Sequence, residues 1–343
     1  MSQRYLIGVD VSKGKVDCAL INHLIETLSE KEVSNTDRKL ESYFKSVLRQ
    51  LEAKPEELLV CCENTGIYSN PLKRTCHKLG INLWVEHAVK IKRASTDMRG
   101  KTDRKDALRI AEYACRYRDR AVMYRPESKL VTALQHQVKI RETLTEKRVA
   151  IENQLREASS HDKELFKALQ AGYKAVLSSI KAAIKKAEAK IEQLAEQDEE
   201  VNTNRMLLKS IPGIGEQTAL QFIIRTDNFK GFSSAKHMAC YAGVVPFANE
   251  SGTIVRKPRV SKIANRNLKQ LLHLAAMAAI RSKGELKDYY IRKVAEGKNK
   301  MSVLNAVRNK LVHRMFAVID RQTPYMPAEI FSIKNEKYTC ALT

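Results

Sequence analysis

The chain has 343 residues and a formal net charge of +22, with 61 Lys and Arg against 39 Asp and Glu. That length accommodates two or three domains with cores of their own, and the surplus of positive charge favours polyanions, nucleic acid first. Seven cysteines without a C-x-x-C pair exclude a disulfide or zinc framework and read as reduced thiols of a cytoplasmic protein, while no apolar run is long enough to span a membrane.

The first segment, 1–122, alternates strands and helices. Residues 5–10 are an apolar strand, so the chain enters structure too early for a signal peptide. Residues 15–21 alternate and can pair back on the first strand across a turn at 12–14. A third strand is expected within 25–33. Thr36 and Asp37 can cap a helix whose stripe is Leu40, Tyr43, Phe44, Val47, Leu48 and Leu51. The continuous apolar run 58–62 suits a strand buried on both faces. A helix over 70–79, stopped by Gly80, leads to another strand at 81–85. Strands first and βα units after them are the RNase H-like arrangement.

The second segment, 123–203, has almost no Gly or Pro and is rich in Ala, Lys, Glu, Gln and Leu. One helix is expected over 130–155. A second carries Tyr173, Val176, Ile180, Ala183, Ala187, Lys190 and Leu194 at 4-3 spacing, with Ile184 and Ile191 beside the seam. Residues 159–162 break the two and offer a cap. An antiparallel hairpin and a coiled coil between subunits both fit.

The third segment, 204–343, is mainly helical. Ser210-Ile211-Pro212-Gly213-Ile214-Gly215 before a helix over 216–224 is a helix-hairpin-helix signature. Its backbone N–H groups, at Gly213 and Gly215 above all, can hold a phosphate. Residues 244–249 lead into Glu250-Ser251-Gly252, then into the basic run Arg256, Lys257, Arg259, Lys262 and Arg266. Helices follow over Leu268 to Ala279 and over 302–318. The last four residues fit C-a-a-X without a polybasic run, and are read as coincidence.

Four carboxylates carry the chemistry. Asp10 and Glu63 lie on apolar strand-type runs, and Asp103 and Asp106 sit where a helix begins. Three apart, the last two share a helix face. Taken singly, Asp10 also reads as a turn residue and Asp103 as a helix-dipole partner. Several buried carboxylates meeting at one spot need a cation, and hard oxygen donors suit magnesium, with manganese possible. Lys101, Arg104 and Lys105 flank the pair and can hold substrate phosphates. Ser251, within the basic run, reads either as a turn residue or as a nucleophile toward a phosphodiester, with arginines to stabilise the developing charge.

The whole chain resembles the DEDD-class insertion-sequence transposases related to Piv-type DNA invertases, a family of bridge-RNA-guided recombinases. The resemblance rests on the strand-end Gly8-Val9-Asp10, on Glu63-Asn64-Thr65-Gly66-Ile67-Tyr68, on the K-T-D-x-x-D-A run from Lys101 to Ala107, on S-I-P-G-I-G-E, and on E-S-G followed by Val255-Arg256 and Ser261-Lys262. It implies a RuvC-like nuclease domain, a coiled-coil middle and a transposase domain bearing the serine. It also implies that Asp10, Glu63, Asp103 and Asp106 bind magnesium and that Ser251 is the nucleophile. The expected activity is cutting and rejoining of donor and target DNA through a phosphoserine. A bridge RNA would choose the target by base pairing, and a homo-oligomer, dimer or tetramer, would act in a prokaryotic cytoplasm. Two rivals stand beside it: a RuvC-like endonuclease or junction resolvase using water, and a nucleic-acid-binding protein with no enzymatic activity.

Overall fold

The computed structural model describes residues 3–94, 103–251, 254–260 and 264–327, with backbone alone at position 103, at 248–251 and at 254–259. It divides into two compact units, Met1–Pro126 and Glu127–Thr343.

The first unit begins with β1 (Tyr5–Val11), β2 (Lys15–Asn22) and β3 (Thr27–Ser34), then α1 (Asp37–Gln50), β4 (Leu58–Glu63), α2 (Asn70–Leu79), β5 (Asn82–Glu86), α3 (Ala88–Ala94) and α4 (Asp103–Arg116). The sheet order is β3-β2-β1-β4-β5. The first three strands run antiparallel in series, and β4 and β5 run parallel to β1. This mixed sheet with helices on both faces fits the RNase H-like domain expected from the sequence. On one face Ile7, Val9, Leu20, Val60 and Cys62 pack under Leu40 and Phe44 of α1 and Leu72 and Cys76 of α2. On the other, Leu6, Ile21, Leu59, Cys61 and Trp84 pack under Ile110, Ala111 and Ala114 of α4. Strands buried on both faces explain the unbroken apolar runs of β1 and β4. β3, at the edge, is mostly exposed and carries Glu30, Lys31 and Glu32, charges that discourage pairing with another chain.

Two local expectations change. Thr36 sits at the N-cap of α1, but its side chain makes no cap hydrogen bond. Asp37 instead accepts from Arg74 Nε and Nη2 at 2.9 and 2.8 Å, tying α1 to α2. The strand expected over 81–85 is shifted one residue, and Glu86 ends it.

The second unit opens with α5 (Lys129–His161), α6 (Lys163–Glu196), α7 (Glu199–Lys209), α8 (Glu216–Thr226) and α9 (Ala235–Tyr241). The two-stranded ribbon β6 (Pro246–Ser251) and β7 (Ile254–Val260) comes next, then α10 (Arg266–Arg281), α11 (Glu285–Ala295) and α12 (Lys300–Arg321). α5 and α6 pack on each other along their length as a hairpin within the chain. Asp162 makes the corner, its Oδ1 accepting from Glu164 N and Leu165 N at 3.0 Å, while Ser159 and Ser160 remain helical. The buried line of α6 is Ile184, Ala187, Ile191 and Ala195. Ile184 and Ile191 thus occupy the seam, and Lys190 lies exposed outside it. A lysine keeps its ammonium in water while branched aliphatic neighbours fill the contact.

α12 runs through the centre of this unit, with Val307, Leu311, Val312, Met315 and Val318 fully buried among α7 to α10. Leu134 and Val138 of α5 and Ile191 and Ala195 of α6 belong to the same core. The helices of 123–203 therefore share a core with α7 to α12. The boundary expected at 203 falls inside α7, and residues 123–124 still pair with β5 through Trp84 and Leu83. Among the described residues, no helix is long and apolar enough to cross a membrane.

Candidate active site

Register brings the acidic side chains together. Asp10 pairs with Asp17 of β2. Val9 pairs with Cys62, so the next step sets Asp10 beside Glu63, and Glu63 pairs with Glu86 of β5. Asp17, Asp10, Glu63 and Glu86 thus form one row across four adjacent strands. Residues at one register level share a face of the sheet, and this row lies two residues along from Ala19, Gly8, Cys61 and Trp84, on the side that α4 covers.

α4 comes close because Gly8 lets it. A Cβ there would collide with the Ala107 carbonyl and the Ala111 amide nitrogen, so glycine is required for the helix to lie on β1. The helix runs back along the strand. Its last turn reaches the far end of β2, where Cys115 Sγ contacts the His23 carbonyl at 3.6 Å. Its first turn, with Asp103 and Asp106, therefore lies toward the acidic row.

Glu63 and Asp106 feel each other. Burial pushes the Glu63 carboxyl above its ordinary value, and the charge of Asp106 pushes it further, against Lys92 and His87. Asp106 is itself held by Arg109 at 2.6 Å. Glu86 is buried and satisfied: it accepts from His87 N at 2.7 Å, Lys90 Nζ at 3.1 Å and Tyr113 Oη at 3.3 Å. Asp17, also buried, has Lys15 Nζ at 3.5 Å. Sequence reasoning missed Glu86 and Asp17. The signal was available, since each interrupts an apolar strand run as Glu63 does.

Among the described residues, no three acidic, histidine or cysteine side chains stand close enough to form a ready ligand shell for a metal. The Asp103 side chain lies outside that description. The donor chemistry nevertheless fits a divalent ion. Carboxylate oxygens are hard donors of the kind magnesium takes. Glu63, disfavoured as an anion by burial and by Asp106, is the group that a dication would relieve most. Asp10, Glu63 and Asp106, with Asp103 from the same helix turn, would hold it.

Ser251 ends β6 in the second unit and pairs with Ile254 across the tip of the ribbon. Arg256, Lys257 and Arg259 fall on β7, with Arg256 opposite Asn249 and Arg259 opposite Phe247. Arg266 is exposed at the start of α10, and Arg104 and Lys105 are exposed on the first turn of α4. Lys101 and Lys262 lie outside the described residues. Gly213, expected at a phosphate, has φ +92° and packs against α10, where a Cβ would stand 2.5 Å from the Ala275 carbonyl. Gly215 caps α8 with open space around it. The following Glu216 is held by Arg205 at 3.0 Å and Lys209 at 2.8 Å, which places a carboxylate where an anion was expected.

Similarity to known proteins falls in two stretches, the first of which runs on from the first unit into α5. A DEDD transposase model of the IS110 type matches residues 7–158, and a model described as "Transposase IS116/IS110/IS902 family" matches residues 205–291. The pilin gene-inverting protein of Moraxella bovis is 26% identical over 336 residues, covering 95% of this chain and 98% of that protein. An insertion element IS116 protein of Streptomyces clavuligerus is 23% identical, covering 95% and 97%. The transposase for insertion sequence element IS1111A of Coxiella burnetii is 26% identical, covering 66% and 68%. Among solved structures, Thermus thermophilus RuvC is 12% identical, with a TM-score of 0.28, over 35% of this chain and 99% of that one. One match takes in the four carboxylates and the other the serine, so the likeness to insertion-sequence transposases reaches both sets of candidate residues, and the chain is an enzyme that cleaves and rejoins DNA.

Proposed function

We propose that this transposase breaks a DNA strand with Ser251 as nucleophile, while Asp10, Glu63, Asp103 and Asp106 hold magnesium against the reacting phosphate. The observation that supports the metal half is the convergence of Asp10, Glu63 and the first turn of α4, with Glu63 raised by burial and by Asp106. The ion, when bound, supplies Lewis-acid stabilisation of charge on the phosphate and the leaving oxygen. Ser251 loses its hydroxyl proton and its oxygen bonds to phosphorus. The bond to the 3′ oxygen breaks, and that oxygen takes up a proton. A second 3′ hydroxyl then attacks the phosphoserine and restores the serine, so rejoining needs no ATP. The arginines of β7 would neutralise the phosphate during both steps.

Target choice by an RNA that pairs with DNA, and assembly of two or four subunits in the cytoplasm, complete the proposal. Inversion by the Moraxella relative named above is the same class of cut-and-rejoin event. The test of the metal half is cleavage of labelled element-end DNA. Magnesium should support cleavage and a chelator should stop it, with DNA still bound. Asp10→Asn and Asp106→Asn should each reduce cleavage to background while circular dichroism and DNA binding stay as in the wild type. Full cleavage by either variant would refute the assignment.

A further inference from the structure

Two arginines of the second unit are almost wholly buried, and they are treated differently. Arg205, 3% exposed, is held by Glu192 at 2.7 Å and Glu216 at 3.0 Å. Arg308, 7% exposed, has no carboxylate partner among the described residues. Its Nη2 donates to His273 Nδ1 at 2.5 Å and its Nη1 to Asn305 Oδ1 at 3.4 Å, both neutral acceptors. A buried cation without a counter-charge is costly, and burial accordingly lowers the Arg308 pKa.

α10 carries no Asp or Glu, and α12 carries only Asp320, in its last turn. Arg266, Lys269 and His273 recur along α10 at helical spacing and so share one face. Because His273 Nδ1 accepts from Arg308, its proton sits on Nε2. Burial and the Arg308 charge both lower the His273 pKa and keep the ring neutral. Nε2–H makes no hydrogen bond to the described residues, and the residue is partly exposed.

The pair is wired to the ribbon that carries Ser251. Asn305, which accepts from Arg308, donates through Nδ2 to the Val244 carbonyl at 2.8 Å, two residues before β6. Asn265, just ahead of α10, donates through its backbone N–H to the Tyr241 carbonyl at 3.0 Å, and Nδ2 lies 3.2 Å from Tyr241 Oη. The β6 root of the ribbon is therefore tied to a residue that contacts this cation.

We infer that Arg308 and His273 form a seat for a DNA backbone phosphate at the base of the serine ribbon. The phosphate would accept from His273 Nε2–H and supply the anionic charge that Arg308 lacks. The inference rests on the reading of this unit as the one that holds DNA during strand joining.

The test uses the full-length protein and a short duplex of arbitrary sequence, in chelator so that no cleavage occurs. In the wild type, log Kd rises linearly with log salt, each neutralised phosphate adding about 0.9 to the slope. Arg308→Met should lower that slope by about one phosphate and weaken binding about tenfold. Its Tm without DNA should equal or exceed that of the wild type, because an uncompensated charge has been removed. An unchanged slope in a folded variant overturns the seat, and so does a loss seen with duplex RNA but not with DNA. If Arg308→Met does not fold, the wild type labelled at histidine decides. The His273 Nε2–H resonance should move on addition of the duplex and not on addition of inorganic phosphate at equal ionic strength. No movement at saturating DNA overturns the proposal. A wild type that fails to bind DNA defeats the DNA reading itself, a distinct outcome.

Discussion

Glu63 sits where burial opposes its charge and a second carboxylate adds to the opposition. Glu86, one strand over, is more deeply buried and fully partnered by His87 N, Lys90 and Tyr113. The two therefore do different work. In the proposed mechanism Glu63 faces the reaction, while Glu86 fixes the end of β5. Glu86→Gln keeps an acceptor for Tyr113 and should change stability little. Glu86→Ala leaves a buried phenol unsatisfied and should cost about 1–3 kcal/mol by urea denaturation. Equal effects of the two would contradict this reading. Thiols give a second check at this scale. Burial pushes Cys18 and Cys62 up to about 12 and also raises Cys61 and Cys76. Thiolate is the reactive form, so at pH 8 these four should resist a disulfide reagent in the folded protein and react at once in denaturant. Cys240, half-buried, should be the faster one. Rapid native labelling of Cys18 or Cys62 by mass spectrometry would contradict the packing of the sheet.

α4 is held on the sheet by the absence of one methyl group, at Gly8. Gly8→Ala should force the helix off β1 and cost about 3 kcal/mol, the upper end for overpacking. It should also depress cleavage beyond any loss of folded protein, because Asp103 and Asp106 ride on that helix. A variant of wild-type stability and activity would mean that the helix does not lie as described. β1 and β4 were legible because their apolar runs are continuous, β2 because its residues alternate, and α2 stops at Gly80 as its sequence foretells. Glu63 was legible for the same reason, as a charge closing an apolar strand. Asp17 and Glu86 were not singled out, because a carboxylate near a strand end also reads as a turn residue until register puts it in a row. The seam of α6 was legible in its 3-4 period but not in its phase. Two parallel stripes, through Ala183 and Lys190 or through Ile184 and Ile191, satisfy the same spacing, and only the partner α5 chooses between them. The β6–β7 ribbon was hidden by its composition, since lysines, arginines and a proline dominate β7.

The molecule as a whole places its acidic centre in one compact unit and its serine in another. The division at Pro126 rather than at two boundaries arises because the ends of α5 and α6 share the core of α12, which periodicity within one helix does not disclose. Exchange of two duplexes requires at least two nucleophiles, so light scattering should give a dimer or tetramer when DNA and RNA are bound; a strict monomer would contradict that part of the proposal. On the proposed mechanism the serine, and not water, attacks the phosphate. The direct measurement is a denaturing gel of end-labelled DNA after reaction in magnesium, with a nicked substrate that cannot supply the rejoining 3′ hydroxyl. The wild type should carry label at the position of the protein, and Ser251→Ala should carry none and rejoin nothing. If Ser251→Ala cuts and rejoins at the native rate, or the wild type cuts with every label on free DNA, water is the nucleophile and Ser251 is a turn residue of the ribbon.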